Sequence, residues 1–197
     1  MNDLFLFSIE GTHFLKHGKL VSLSEQMLVS CDKVDAGCNG GRQEDAFKFV
    51  MKKGGLVSEE HYRYTSGGGN TGKCNAKKEK GPYVASISGF TSVSNSKTGE
   101  TKIASALEKA GPITIAINAG PMQDYTGGID DPKNCASGAM DLDHAVLIVG
   151  YGEENGKKFW KIKNSWAKDW GEDGYYRIIR GVNRCGVAMD ASHSKAK

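Results

Sequence analysis

The sequence has no Cys-x-x-Cys pair, no apolar run long enough to cross a bilayer and no block of one charge, and each absence removes a class of function. Without Cys-x-x-Cys or a Cys/His ligand spacing, redox and zinc chemistry have nothing to stand on, and no metal or cofactor is expected. Leu4-Phe5-Leu6-Phe7 is too short for a membrane span and lacks the basic lead of a signal peptide. Twenty-six Lys and Arg against 23 Asp and Glu leave a net charge of only +3, with the signs mixed along the chain. The densest basic stretch, Lys77-Lys78-Glu79-Lys80, reads as a solvated loop, since nucleic-acid surfaces cluster more charge than this. Neither nucleic acid nor membrane is expected as a partner. No internal repeat or low-complexity tract interrupts the 197 residues. A chain of that length buries roughly 70% of its unfolded surface, which suffices for one large core or two small ones.

What is present changes period midway. Residues 8–19 carry Ile9, Thr12, Phe14 and Leu15 at mostly helical spacing, and Gly18 suits a stop. Ser22-Leu23-Ser24-Glu25 has the Ser-x-x-Glu form of a capping box, predicting a short helix through Val29. Residues 42–53 place Ala46, Phe47, Phe49 and Val50 on one side before Gly54-Gly55, and 65–70 is loop by composition. A helix over 101–110 carries Ile103, Ala106 and Leu107 and ends at Gly111-Pro112. Beyond it, 113–117, 145–149, 159–163 and 175–179 are short β-branched or aromatic runs bounded by turn residues. Helices first and strands afterwards predict an α+β fold, with the strands forming an antiparallel sheet or barrel.

Chemistry concentrates in two segments. Asp143-His144-Ala145-Val146 opens one apolar run, and Lys163-Asn164-Ser165-Trp166 closes the next. A histidine and an asparagine at the mouths of neighbouring strands can meet, the amide oxygen holding one ring nitrogen and leaving the other to activate a thiol. His144 alone would read as an ordinary hydrogen-bonded strand histidine, and Trp166 and Trp170 as core aromatics; together they read as a site. His13, His17, His61 and His193 read as surface residues. The five cysteines are an odd number, which in an oxidising compartment means a free thiol, a partner elsewhere or a missing piece.

Gly37-Cys38-Asn39-Gly40-Gly41, 143–152, 164–175 and 20–26 resemble the papain and cathepsin L/F cysteine peptidases, in order and spacing, from about Ser8 onward. The resemblance implies a papain-like fold with a helical left domain (1–90), a β-barrel right domain (91–189), a C-terminal segment (190–197) and an active cleft between the domains. It implies His144 and Asn164 as catalytic residues, with Trp166 and Trp170 shielding them from water. It places Asn39, Gly40, Gly41, Arg42, Gln43, Ala116, Leu142, Asp143, Ala145 and Asp190 at the substrate. Gly41 would offer extended backbone to a peptide, and a side chain there would obstruct it. Asp190, at the base of the pocket for the residue two before the scissile bond, either accepts an arginine or points outward and leaves a pocket for Leu or Phe. Both alternatives stay open.

The same resemblance pairs Cys31 with Cys74 and Cys135 with Cys185, leaving Cys38 unpaired. Counted back without gaps, Met1 falls on the tryptophan after the nucleophile, so the catalytic cysteine and the oxyanion glutamine are expected just ahead of this chain. Two functions follow. In one, the chain is a fragment of a cysteine endopeptidase that hydrolyses peptide bonds by thiol acyl transfer and is inactive as it stands; in the other, it is a non-catalytic homologue that binds peptides. The intact His144 and Asn164 favour the first, since a binding module needs no base. Expected partners are peptide or protein substrates, cystatin-type inhibitors and the protein's own propeptide. A monomer in the lysosome or outside the cell is expected.

Overall fold

The computed structural model describes residues 4–197, so the register of Met1 expected from the sequence lies outside the described residues. The chain divides into two compact units, one of Met1–Thr91 with Ser194–Lys197 and the other of Ser92–His193. Residues 190–197, read from the sequence as a separate segment, are thus divided between them.

The first unit is built on helices. Helix α1 (Leu4–His17) buries Phe5, Leu6, Ile9 and Thr12, whereas Phe14 and Leu15 are 47% and 63% exposed. At about 100° per residue, positions 5, 9 and 12 share a stripe, and 14 and 15 rotate away from it. The sequence reading, which grouped Phe14 and Leu15 with Ile9, is corrected on this point. Helix α2 (Glu25–Cys31) is capped by Ser24, whose side chain accepts from the Met27 N–H. Ser22 is therefore not the cap. It and Leu23 are held extended, with Leu23 N donating to Glu10 Oε1 and Ser22 O accepting from Glu59 N. Helix α3 (Gln43–Lys53) buries Ala46, Phe47, Phe49 and Val50, with Glu44 and Asp45 in its first turn and Lys52 and Lys53 in its last, as the helix dipole favours. Phe47 meets Phe5 edge-on at 5.9 Å between ring centroids.

Strand β1 (Leu56–Val57) pairs antiparallel with β2 (Tyr83–Ala85). Between them the basic stretch is no loop. Ala76–Glu79 forms the single turn α4, because Asn75 Oδ1 caps Lys77 N and Lys78 N while Glu79 is buried and paired with Lys53. Strand β3 (Ile87–Ser94) runs across the unit boundary.

The second unit is built on strands. After α5 (Glu100–Ala110) come β4 (Ile113–Ile117), β5 (His144–Glu154), β6 (Lys157–Lys163), β7 (Tyr175–Ile179) and β8 (Ala191–Ala196). Strands β4 to β7 pair antiparallel in sequence order, and β8 flanks β4. Ile113, Ile115, Ile117, Val146, Ile148, Trp160, Ile162, Tyr176 and Ile178 are fully buried. Each unit closes on its own disulfide, Cys31–Cys74 spanning 43 residues and Cys135–Cys185 spanning 50. By chain entropy, loops of this size are each stabilised by about 4 kcal/mol.

Candidate active site

His144 is the first residue of β5 and faces Ile117 of β4, and Asn164 directly follows β6. The β5–β6 register pairs Leu147 with Lys163. Continued by one residue it sets Asn164 opposite Val146, so that His144, two residues on, becomes its diagonal neighbour on the same face. His144 Nε2 lies 2.9 Å from Asn164 Oδ1. The same oxygen accepts from Ser165 N at 2.8 Å, which fixes the amide orientation. An oxygen facing Nε2 can only accept, so Nε2 carries the hydrogen and Nδ1 is left with its lone pair as the basic nitrogen. Asn164 is 5% exposed.

Two tryptophans complete the arrangement. The Trp166 ring stacks on His144 at 5.1 Å, and Trp170 meets Trp166 edge-on at 5.1 Å. Trp170 Nε1 donates to Met122 O at 3.2 Å. Burial lowers the His144 imidazole below its ordinary value of 6.5, with the Asn164 hydrogen bond and the Asp143 charge acting the other way. A neutral imidazole with one fixed N–H and one free lone pair is able to accept a proton as a general base does.

The remaining residues expected at the substrate fall in both units. In the first, Gly37–Asn39 forms a 3-10 turn ending at Gly40, and Arg42 caps α3. Gly40, Gly41, Arg42 and Gln43 line a small pocket with Asp32 and Asp35, and Asn39 is exposed beside it in sequence. A Cβ on Gly41 would lie 2.3 Å from Asp35 Cγ, and Asp35 Oδ1 accepts from Arg42 N at 2.9 Å. The glycine is thus demanded by the Asp35 carboxyl within the fold, a requirement the sequence reading had not identified. In the second unit, Ala116 pairs with Ala145, and Ala116 N donates to Asp190 O at 2.9 Å. Asp143 Oδ1 holds Ala119 N at 2.8 Å, and Leu142 packs at Gly186.

Cys31, Cys74, Cys135 and Cys185 are bonded in pairs, and Cys38 is free and half-buried. Cys31, Cys74 and Glu79 have ligand atoms close enough to share a metal, but the two sulfurs are already bonded to each other. The sequence reading missed Glu172, Arg177 and Tyr125, which stand behind the tryptophans. Their signal was the polar run Trp170-Gly171-Glu172-Asp173-Gly174 after an aromatic pair, with an arginine two residues beyond Tyr175.

The chain matches the papain family cysteine protease over residues 6–195. It is 46% identical over 196 residues to cysteine proteinase 15A of Pisum sativum, covering 91% of this chain and 51% of that protein. It is 44% identical over 185 residues to cathepsin F of Mus musculus, covering 94% of this chain and 38% of that one. Among solved structures, digestive procathepsin L 3 of Tenebrio molitor superimposes with a TM-score of 0.84 at 36% identity, covering 97% of this chain and 62% of that one. Bromelain of Ananas comosus in complex with the E64 inhibitor also gives 0.84, at 35% identity and with 96% and 85% covered. The chain spans about half the length of the first of these curated relatives and less of the second. The α+β architecture is accordingly papain-like, and the chain belongs to the papain family of cysteine proteases.

Proposed function

We propose that the chain is part of a papain-type cysteine endopeptidase in which His144 is the general base and Asn164 its orienting partner. The observation that carries this is the 2.9 Å contact of His144 Nε2 with Asn164 Oδ1 beneath Trp166, because it commits Nδ1 to accepting a proton. The nucleophile is a cysteine outside these 197 residues. Four of the five cysteines here are in disulfides, and Cys38 belongs to the Gly-Cys-Asn-Gly-Gly turn. In the acyl transfer, the thiol loses its proton to Nδ1 and the thiolate attacks the peptide carbonyl. The imidazolium then protonates the leaving amine, and water completes hydrolysis of the thioester. The oxyanion is held by the nucleophile's own backbone N–H and by a glutamine upstream of it.

Asn39, Gly40, Gly41, Arg42 and Gln43, with Ala116, Leu142, Asp143, Ala145 and Asp190, form the substrate contacts in this reading. Substrates are peptides or proteins, cystatin-type inhibitors and a propeptide are the natural ligands, and the compartment is lysosomal or extracellular. The matches to cathepsins and plant cysteine proteinases support this assignment.

The test is reconstitution. The 197-residue chain should neither cleave dipeptidyl fluorogenic substrates nor be labelled at a catalytic thiol by an epoxide inhibitor. Adding an upstream segment with its Gln and Cys should bring both. His144→Ala should then abolish turnover, and Asn164→Ala should lower it roughly 10-fold or more without eliminating it, since only orientation is lost. A reconstituted protein that binds peptide substrates tightly but turns none over would favour a peptide-binding module instead.

A further inference from the structure

Between Asn164 and Gly174 the chain leaves the sheet and returns to it, and this excursion carries both tryptophans. Two of its non-glycine residues, Ala167 and Asp173, have φ of 69° and 54°. Left-handed backbone at residues with a Cβ persists only where surrounding contacts over-determine it. Part of that restraint is local, with Gly174 N donating to Trp170 O at 2.8 Å and Asn164 N to Gly174 O at 3.0 Å. The rest converges on one carboxylate. Arg177 of β7 grips Glu172 with two parallel bonds, Nε to Oε2 and Nη2 to Oε1, each 2.7 Å. Glu172 Oε1 also accepts from Gly128 N at 2.8 Å, so a single side chain ties the excursion, β7 and the 127–128 turn together.

The tie leads back to the histidine through aromatic rings. Tyr125 OH accepts from Arg177 N at 3.2 Å and donates to Gly128 O at 2.7 Å. Its ring lies 5.7 Å from Trp170, which rests edge-on against Trp166, the ring that covers His144. The pair is only partly exposed, with Arg177 at 19% and Glu172 at 30%, and Arg177 holds the Glu172 carboxyl below the ordinary carboxylate range. We infer that Glu172 and Arg177 are positioning residues for His144, acting through Trp170 and Trp166 to keep the imidazole covered and aligned with Asn164. Bidentate geometry is essential to this role, because a planar fork fixes direction where a point charge does not. Arg177 has a third contact, Nη1 to Glu154 at 3.0 Å on the more exposed side, which touches nothing in the excursion and supplies an internal control.

The inference rests on His144 as the proposed base, but its test needs no nucleophile. His144 is titrated by NMR in the 197-residue chain and in Glu172→Gln, Arg177→Lys and Glu154→Gln, with thermal midpoints measured alongside. Glu172→Gln and Arg177→Lys should each raise the His144 midpoint toward 6.5, as water reaches the ring, and should shrink the ring-current shift that Trp166 imposes on it. Glu154→Gln should leave both unchanged. Arg177→Lys keeps the charge and one hydrogen bond, so it reports even where Glu172→Gln does not fold. A lowered thermal midpoint with His144 titrating and resonating as in the parent would overturn the inference and leave the pair a purely structural one. A His144 that shifts as expected in a chain whose reconstituted form is inert would instead overturn the base assignment and leave the positioning intact.

Discussion

At the scale of the residue, His144 is held in the form its proposed chemistry needs, and the hold has a thermodynamic consequence. Burial lowers its pKa, against the opposing effects of Asn164 and Asp143. The unfolded chain, with an ordinary imidazole near 6.5, therefore binds more protons than the folded one between the two values. Stability is fully present above about 6.5 and declines as pH falls toward the folded value. His13 is lowered too, by burial first and then by His17 and Lys19, and contributes with the same sign. His144→Gln should consequently lose less of its urea midpoint between pH about 7.5 and about 5.5 than the parent does. An identical loss in both proteins would show that the imidazole is not buried against protonation. The pairing of His144 with Asn164 was legible because both residue types sit at strand mouths in the sequence. The identity of the nitrogen was not, since it depends on the Ser165 N–H that orients the amide.

At the scale of the element, the sequence pattern located most helices and the central strands, and its errors have local causes. The helix over 43–53 is announced by an apolar stripe at 46, 47 and 50 and a glycine stop, and nothing tertiary overrides it. The strands at 56–57 and 83–85 carry no alternation long enough to be seen. The β5–β6 hairpin had a readable signal that was passed over, Asn155-Gly156, whose φ values of 51° and 75° suit a two-residue turn of the twisted type. For α2, two serines stood in the window, and only tertiary contacts choose between them. Ser22 is claimed by Glu59 through its backbone, while Ser24 Oγ both accepts from Met27 N and donates to Tyr62 O at 2.6 Å. Ser24→Ala should thus destabilise the chain by about 1 kcal/mol or more, and Ser22→Ala by far less. Denaturant unfolding of the two variants decides it, and equal effects would restore the capping box to Ser22.

At the scale of the whole molecule, the two compact units divide at Thr91 and Ser92, whereas the period of the sequence changes only after residue 110, so hydrophobic pattern alone does not place the boundary, and the last residues escape its logic as well. Ser194–Lys197 belongs with the first unit although every residue of 92–193 intervenes. The reason is polar rather than apolar. Thr12 Oγ1 lies 2.8 Å from Ser194 Oγ, Lys16 Nζ donates to Ala196 O at 3.2 Å, and Lys197 N donates to Ser86 O at 3.0 Å. Ser88 Oγ reaches Lys195 O at 3.3 Å. A hydrophobic pattern cannot foresee pairing made of backbone groups and hydroxyls. Ser8, Thr12 and Ser194 are all buried, so removing the segment would take from Ser8 and Thr12 the Ser194 hydroxyl that each of them meets, at about 1 kcal/mol for each hydrogen bond lost. Deleting 194–197 should therefore speed amide hydrogen exchange in α1 and around Ser86, far from the deletion in sequence, while β5 to β7 keep their protection. Accelerated exchange confined to β4 and β5 would mean that the tail serves the second unit instead, and that the polar contacts with α1 contribute nothing to holding the first together.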